Sequence, residues 1–156
     1  VQSYGPESRG GACSAQVVIS DTIIFYPYIK TPDVLVCLSQ GGFDKYIGDL
    51  PDDGILIIDH DLVKAKRKVK EFYSISATRI AEELGRKMMA NIIMIGFVTA
   101  VTKIISMDAA QDTVVKSVPK GTEEMNLKAF NRGSDYGLSV LKGREKKAEG
   151  RTGAVS

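Results

Sequence analysis

Three short apolar runs stand out along the first half of the chain, at residues 34–38, 55–58 and 72–75. Runs of this kind are typical of strands buried on both faces of a parallel sheet, and their spacing suits crossover connections. Residues 15–20 and 23–26 are also rich in β-branched and aromatic residues, and only two polar residues separate them. We therefore predict an antiparallel hairpin there.

Helical patterns alternate with these strands and then dominate the second half. We predict helices at residues 43–50, 88–101, 108–118 and 122–132, another that Thr78 caps, and a linker or short helix at 61–70. Gly133 is a plausible C-cap, and the polar tail of residues 143–156 is predicted to be disordered. The pattern predicts one three-layer α/β/α domain, residues 1–142, whose sheet is mainly parallel and partly antiparallel.

The helix at residues 88–101 is apolar on nearly every face. It is too short to span a bilayer, so we expect no membrane insertion. Its small residues, Ala90, Gly96 and Ala100, permit close packing, and Asn91 is expected to fix register as a buried polar group. Two interpretations stay open: the helix is central to its own domain, or a second chain covers it.

Composition excludes several classes of function. The 156 residues carry a formal net charge of only +2, and the basic runs at residues 64–70 and 144–147 are typical of solvated surfaces, so nucleic acid is not an expected partner. Two cysteines, Cys13 and Cys37, and one histidine, His60, cannot supply a four-ligand zinc or iron–sulfur site. The expected compartment is a reducing cytoplasm.

A glycine-rich stretch near the start is the first candidate for ligand binding. It contains Tyr4, Gly5, Arg9, Gly10 and Gly11. Adjacent glycines allow backbone N–H groups to approach a ligand, and an arginine offers a forked donor to phosphate or carboxylate. A plain glycine-rich turn with a surface arginine is the competing interpretation.

A second candidate, Ser39, Gln40 and Gly41, follows the first buried run, where α/β sheets place ligand crevices. The competing interpretation is a tight strand-to-helix turn.

The triplet Asp59, His60 and Asp61 invites a metal or acid–base hypothesis, but consecutive residues of an extended segment point to opposite faces. We predict no catalytic residue and no metal ligand in this chain.

Several stretches, taken together, resemble one family. They are QSYGPESRGG, PDVLV with SQGGFDKY, ATRIAEELGRKMMANIIMIGF and SVPKGTEEMNLKAFNRG, and they cover the chain to about Leu138. They are similar to the gamma chain of 2-oxoacid:ferredoxin oxidoreductases, most of all to the 2-oxoglutarate branch. Members of this family usually begin with a strand, a G-x-G-G-Q-G loop and a helix, and that unit is not found before Val1.

The resemblance implies a subunit that is inactive alone, within an enzyme that converts a 2-oxoacid and coenzyme A to acyl-CoA and carbon dioxide while reducing ferredoxin. It implies alpha and beta partners and a ferredoxin-like delta partner, which hold thiamine diphosphate, magnesium and iron–sulfur clusters. This chain would support assembly, and Arg9 with its neighbouring glycines would meet coenzyme A. A stand-alone nucleotide-binding module and a purely structural subunit remain as alternatives.

Overall fold

The structure is a computed structural model that describes residues 2–4, 13–26, 28–67 and 69–152. Its first strands, β1 (Gln2–Tyr4) and β2 (Cys13–Ala15), pair antiparallel. The predicted hairpin of residues 15–20 and 23–26 is wrong, since those described residues beyond Ala15 form no strand. In place of a ladder of backbone hydrogen bonds between two strands, the side chain of Gln16 hydrogen-bonds the backbone of Ile29.

The chain divides into two units, the first formed by residues 1–58 and 62–74 and the second by residues 59–61 and 75–156. The three predicted buried runs form β3 (Val34–Cys37), β4 (Ile55–Asp59) and β5 (Glu71–Ile75), which make a parallel sheet in the order β3-β4-β5. The α/β class with parallel and antiparallel pairing is therefore confirmed.

Burial differs between the strands because of their places in the sheet. The central strand β4 is buried along most of its length, whereas Val36 on the edge strand β3 is 37% exposed. The expectation that the run at residues 34–38 is buried on both faces is thus wrong for its middle. The first unit's core gathers the apolar side chains of β3, β4 and the segments that follow them: Cys37, Phe43, Leu50, Leu56, Ile58 and Val63.

One short helix of the first unit carries the predicted site. Helix α1 spans Gln40–Tyr46 and is followed by a single 3₁₀ turn, Ile47–Asp49. It begins three residues earlier than the predicted start at residue 43, because Ser39 caps it. The linker that follows β4 contains no helix in its described residues.

The second unit is helical. It contains α2 (Ala77–Glu83), α3 (Ala90–Thr102), α4 (Met107–Ser117) and α5 (Glu123–Thr152). Ser76, not Thr78, is the N-terminal boundary residue of α2, so the predicted cap is wrong. Three buried side chains, Ala110, Val114 and Phe130, form a small core between α4 and α5.

Helix α5 is far longer than the predicted helix of residues 122–132. It continues through Gly133, which is therefore not a C-cap, and it includes residues 143–152 of the tail that was predicted to be disordered. Residues 153–156 lie outside the described part of the chain. The boundary of the domain at residue 142 stays a prediction.

Helices α3 and α5 approach each other unusually closely at three glycines. A Cβ atom at Gly96 would lie 2.1 Å from the carbonyl oxygen of Phe130, and one at Gly133 would lie 1.9 Å from that of Ile93. A Cβ at Gly137 would meet Ala100 at 2.8 Å. Backbone therefore packs on backbone, and the face of α3 around Gly96 is covered by this chain's own helix.

The polar residue of α3 does not act as predicted. Asn91 is exposed, and its side-chain oxygen accepts a hydrogen bond from the neighbouring backbone N–H of Ile92. It therefore fixes no buried register. The close approach of α3 and α5 is instead permitted by glycines, because there is no room for a side chain where the two backbones meet.

Candidate functional site

The glycine-rich candidate falls largely outside the described residues. Gly5, Arg9, Gly10 and Gly11 are among the undescribed residues, and of Tyr4 only the backbone is described. Tyr4 is the register partner of Cys13 in the β1–β2 pair. The predicted ligand contact of this stretch stays a prediction.

Ser39 lies two residues after the end of β3 and directly precedes helix α1. Its backbone is extended (φ −151°, ψ 151°), and its hydroxyl accepts a hydrogen bond from the N–H of Gly42 at 3.2 Å. This is the geometry of an N-cap, which satisfies one of the free N–H groups of a helix start. The side chain of Ser39 thus has a structural role at this turn.

Gln40 joins two segments that are far apart in sequence. Its side-chain oxygen accepts a hydrogen bond from the backbone N–H of Lys64 at 2.8 Å, and its side-chain nitrogen donates to Asp44 at 2.9 Å. The contact brings the start of the basic stretch at residues 64–70 beside the predicted site. Lys64 itself is exposed.

Gly41 is required neither by backbone conformation nor by packing inside the chain. Its φ is not positive, and a Cβ atom added there would find nothing within 4 Å. A glycine lowers the stability of a helix by about 1 kcal/mol relative to alanine. No contact within the chain requires a glycine at this position. The open space above it leaves the backbone accessible from outside.

The other end of α1 contacts the β1–β2 pair. The hydroxyl of Tyr46 hydrogen-bonds Ser14 on β2 at 3.0 Å, and the ammonium group of Lys45 lies 5.0 Å from the Tyr46 ring centroid. The pKa of Tyr46 is lowered from its usual value by the hydrogen bond with Ser14 and by the adjacent ammonium group of Lys45. Helix α1 therefore has Gln40, with its contact to Lys64, at one end and a contact with β2 near the other.

The triplet at the end of β4 is structural. Asp59 is fully buried, and its carboxylate accepts hydrogen bonds from the backbone and hydroxyl of Thr78, at 2.9 and 2.7 Å, and from the backbone of Asp61. Asp61 itself forms an ion pair with Arg79 at 2.6 Å, while His60 is exposed. The acid–base hypothesis finds no support in this geometry.

The buried cysteine is equally unsuited to catalysis. Cys37 is 3% exposed, and burial raises the pKa of its thiol to about 11. A protonated, buried thiol is a poor nucleophile and a poor metal ligand. Among the residues that the structure describes, no cluster of histidine, cysteine, aspartate and glutamate could hold a metal ion.

No described helix has both the length and the apolar character needed to cross a membrane. Helix α3 is the most apolar, but it has only 13 residues, and its face around Gly96 packs against α5.

Sequence reasoning did not find the roles of Lys64, Lys45, Tyr46 and Ser14. The contact between Gln40 and Lys64 spans 24 positions, and that between Ser14 and Tyr46 spans 32. No local spacing encodes such pairs. The one available signal was the basic stretch that starts at Lys64, which composition alone could not distinguish from a solvated surface.

Comparisons with known proteins match most of the chain. The sequence profile of the family described as pyruvate ferredoxin/flavodoxin oxidoreductase matches residues 1–136. The 2-oxoglutarate synthase subunit KorC of Methanocaldococcus jannaschii is 47% identical over 136 residues, which cover 85% of this chain and 73% of that protein. The ketoisovalerate oxidoreductase subunit VorA of Methanothermobacter thermautotrophicus is 31% identical over 90% of this chain, but the match occupies only 30% of VorA.

A solved structure agrees. The gamma subunit of a keto/oxoacid ferredoxin oxidoreductase from Geobacter sulfurreducens superimposes with a TM-score of 0.75 at 36% identity, over 89% of this chain and 79% of that one. The resemblance drawn from the sequence motifs is therefore confirmed.

Proposed function

This chain belongs to the pyruvate ferredoxin/flavodoxin oxidoreductase family as the gamma subunit of a 2-oxoacid:ferredoxin oxidoreductase, and we propose that its 2-oxoacid is 2-oxoglutarate. The observation that carries the substrate is the 47% identity to a 2-oxoglutarate synthase subunit, against 31% to a ketoisovalerate oxidoreductase subunit. The complex would convert 2-oxoglutarate and coenzyme A to succinyl-CoA and carbon dioxide, with ferredoxin as electron acceptor.

The chemistry of this reaction belongs to partner subunits. We place thiamine diphosphate, magnesium and the iron–sulfur clusters in alpha, beta and delta chains in the cytoplasm. Two cysteines in the whole sequence, one of them buried, are too few for a cluster held by four thiolates. The work of this chain is to support the assembly and to contact coenzyme A.

The coenzyme A contact involves both predicted segments. Coenzyme A carries phosphate groups, and arginine or exposed backbone N–H groups are suited to bind them. Helix α1 supports such a surface: Gln40 holds Lys64 at one end, and Tyr46 and Lys45 adjoin Ser14 at the other. The accessible backbone at Gly41 allows a ligand to approach between them.

The test is Arg9→Ala in the assembled enzyme. Loss of one charge-assisted hydrogen bond costs about 1.5–3 kcal/mol, so the KM for coenzyme A should rise about tenfold to a hundredfold. The KM for 2-oxoglutarate should change little, and Arg9→Lys, which keeps the charge but loses the fork, should lie between wild type and Arg9→Ala.

The purely structural subunit is the alternative that one observation favours. Both Ser39 and Gln40 direct their side chains to partners within the chain, as a simple strand-to-helix turn would. Unchanged coenzyme A kinetics for Arg9→Ala in an intact complex would support that alternative and end the proposed ligand contact.

A further inference from the structure

A short basic segment follows strand β4 in the first unit. We call it the basic strap and define it as residues 64–67, whose sequence is Lys-Ala-Lys-Arg. Lys64 and Lys66 are both exposed, and within the described part of the chain neither ammonium group has a carboxylate partner. Like charges this close repel each other, which disfavours a fixed segment unless other contacts hold it.

Hydrogen bonds from distant residues hold the basic strap at both of its ends. At its start, the backbone N–H of Lys64 donates to the side-chain oxygen of Gln40 at 2.8 Å. At its end, the guanidinium group of Arg67 donates to the carbonyl oxygen of Ile47 at 2.6 Å and to the carboxylate of Asp52. A solvated run of charges needs no such anchors. The strap therefore presents two unpaired ammonium groups on a backbone that is already fixed, which lowers the entropic cost of binding an anion.

The anchor at Gln40 places the basic strap next to the start of helix α1. The side-chain nitrogen of Gln40 donates to Asp44 at 2.9 Å, so the same amide is also held on α1. The following residue, Gly41, leaves its backbone open to the outside, because an added Cβ would find nothing within 4 Å. The strap thus adjoins the open turn at which the proposed function brings coenzyme A to this chain.

We propose that Lys64 and Lys66 bind the ribose phosphate of coenzyme A, the monoester at the end of the molecule farthest from its thiol. The proposal rests on the proposed function, because it takes coenzyme A to be a substrate of the assembled enzyme. The thiol must reach the reaction centre in the partner subunits, which leaves the nucleotide end for this chain. A phosphate monoester has close to two negative charges at neutral pH. Two exposed lysines, each a compact charge with three donors, suit it.

The experiment compares coenzyme A with dephospho-coenzyme A, which lacks only the ribose phosphate, as substrates of the assembled enzyme. We expect the wild-type KM for dephospho-coenzyme A to exceed that for coenzyme A about tenfold, the effect of losing two exposed charged contacts. Lys64→Gln combined with Lys66→Gln should raise the KM for coenzyme A by the same factor. The KM of this double variant for dephospho-coenzyme A should change less than about twofold, because the group that the lysines bind is already missing.

Lys146→Gln combined with Lys147→Gln is the matched control, because both lysines are exposed and belong to the other basic run, on helix α5. This control removes the same two charges, so it reports any effect of net charge on anionic substrates. Its KM for coenzyme A should equal that of wild type. A rise as large as that of the strap variant would show general attraction of anions and would overturn the proposal.

Thermal melting of each chain, followed by circular dichroism, separates ligand binding from folding. The anchor of the strap at Lys64 is a backbone N–H, which Lys64→Gln retains, and Arg67 is not changed. The strap variant should therefore melt like wild type. A lower melting temperature together with a raised KM for both substrates would show that the lysines serve folding, and this would overturn the proposal.

The two hypotheses fail in different ways. An assembled wild-type enzyme that consumes no coenzyme A refutes the proposed function and, with it, the site for the ribose phosphate. A wild-type enzyme that uses coenzyme A and dephospho-coenzyme A with equal KM values refutes the phosphate site alone. So does a strap variant that leaves the ratio of the two KM values unchanged.

Discussion

Gly96→Ala tests whether close backbone packing between α3 and α5 stabilises the second unit. The new Cβ would lie 2.1 Å from the carbonyl oxygen of Phe130 and 3.1 Å from the backbone nitrogen of Ser134, whereas ordinary contact begins at 3.4 Å. The helices would have to separate by about 1.3 Å at this point. A backbone cannot rotate away as a side chain can, so the strain spreads along the whole interface.

The expected cost follows from two opposing terms. Overpacking of this severity costs about 3 kcal/mol, whereas replacing glycine by alanine in a helix returns about 1 kcal/mol. The net loss of about 2 kcal/mol lowers the melting temperature of a chain this size by roughly 4–8 °C. Circular dichroism melting of the purified chain measures it.

Gly143→Ala is the matched control, since Gly143 also lies in α5 but an added Cβ would meet nothing within 4 Å. Its melting temperature should stay the same or rise. Combining Gly96→Ala with Gly133→Ala should cost less than the two losses added together, because one separation of the helices relieves both clashes. Equal melting temperatures for Gly96→Ala and Gly143→Ala would refute the close packing of α3 on α5.

Three further predictions concern the first unit. At neutral pH, a thiol reagent should modify exposed Cys13 and not Cys37 in the native chain, and both after denaturation. Rapid labelling of both thiols in the native chain would contradict the burial of Cys37. Burial raises the pKa of Cys37 to about 11, so the native chain keeps this proton above pH 9 while the unfolded chain loses it. The free energy of unfolding should therefore fall between about pH 9 and 11. Gly41→Ala should raise the KM for coenzyme A in the assembled enzyme without lowering the chain's melting temperature, and a KM equal to that of Gly143→Ala would show that no ligand approaches there.

The sequence alone determined the elements that consist of continuous apolar runs, because such a run indicates burial without reference to distant residues. The runs at residues 55–58 and 72–75 became β4 and β5, and the apolar stretch at residues 88–101 became α3 with a short preceding turn. Continuous apolar character leaves such segments few environments in which to fold. The family followed from several motifs in order, and the comparisons confirmed it.

Tertiary structure decided what depends on distant partners. The hairpin expected at residues 15–20 and 23–26 does not form, because β propensity describes a segment's suitability for a sheet and not the presence of a neighbouring strand. The helix end predicted at Gly133 is wrong for the opposite reason. Packing against α3 stabilises helix α5 at Gly133, although a glycine by itself disfavours a helix.

The candidate site shows the same difference between what local sequence predicts and what distant partners decide. The sequence predicted Ser39, Gln40 and Gly41 as a ligand-binding candidate, with a plain strand-to-helix turn as the competing interpretation. In the structure Ser39 is the N-cap of α1, and Gln40 and Gly41 lie in its first turn. The ligand contact itself stays a prediction. The partners of the turn could not be predicted, because Gln40 meets Lys64, and Tyr46 meets Ser14, only after the chain has folded. A sequence specifies which groups are available, but hydrogen bonds between residues 24 and 32 positions apart exist only when the fold brings the two segments within about 3 Å.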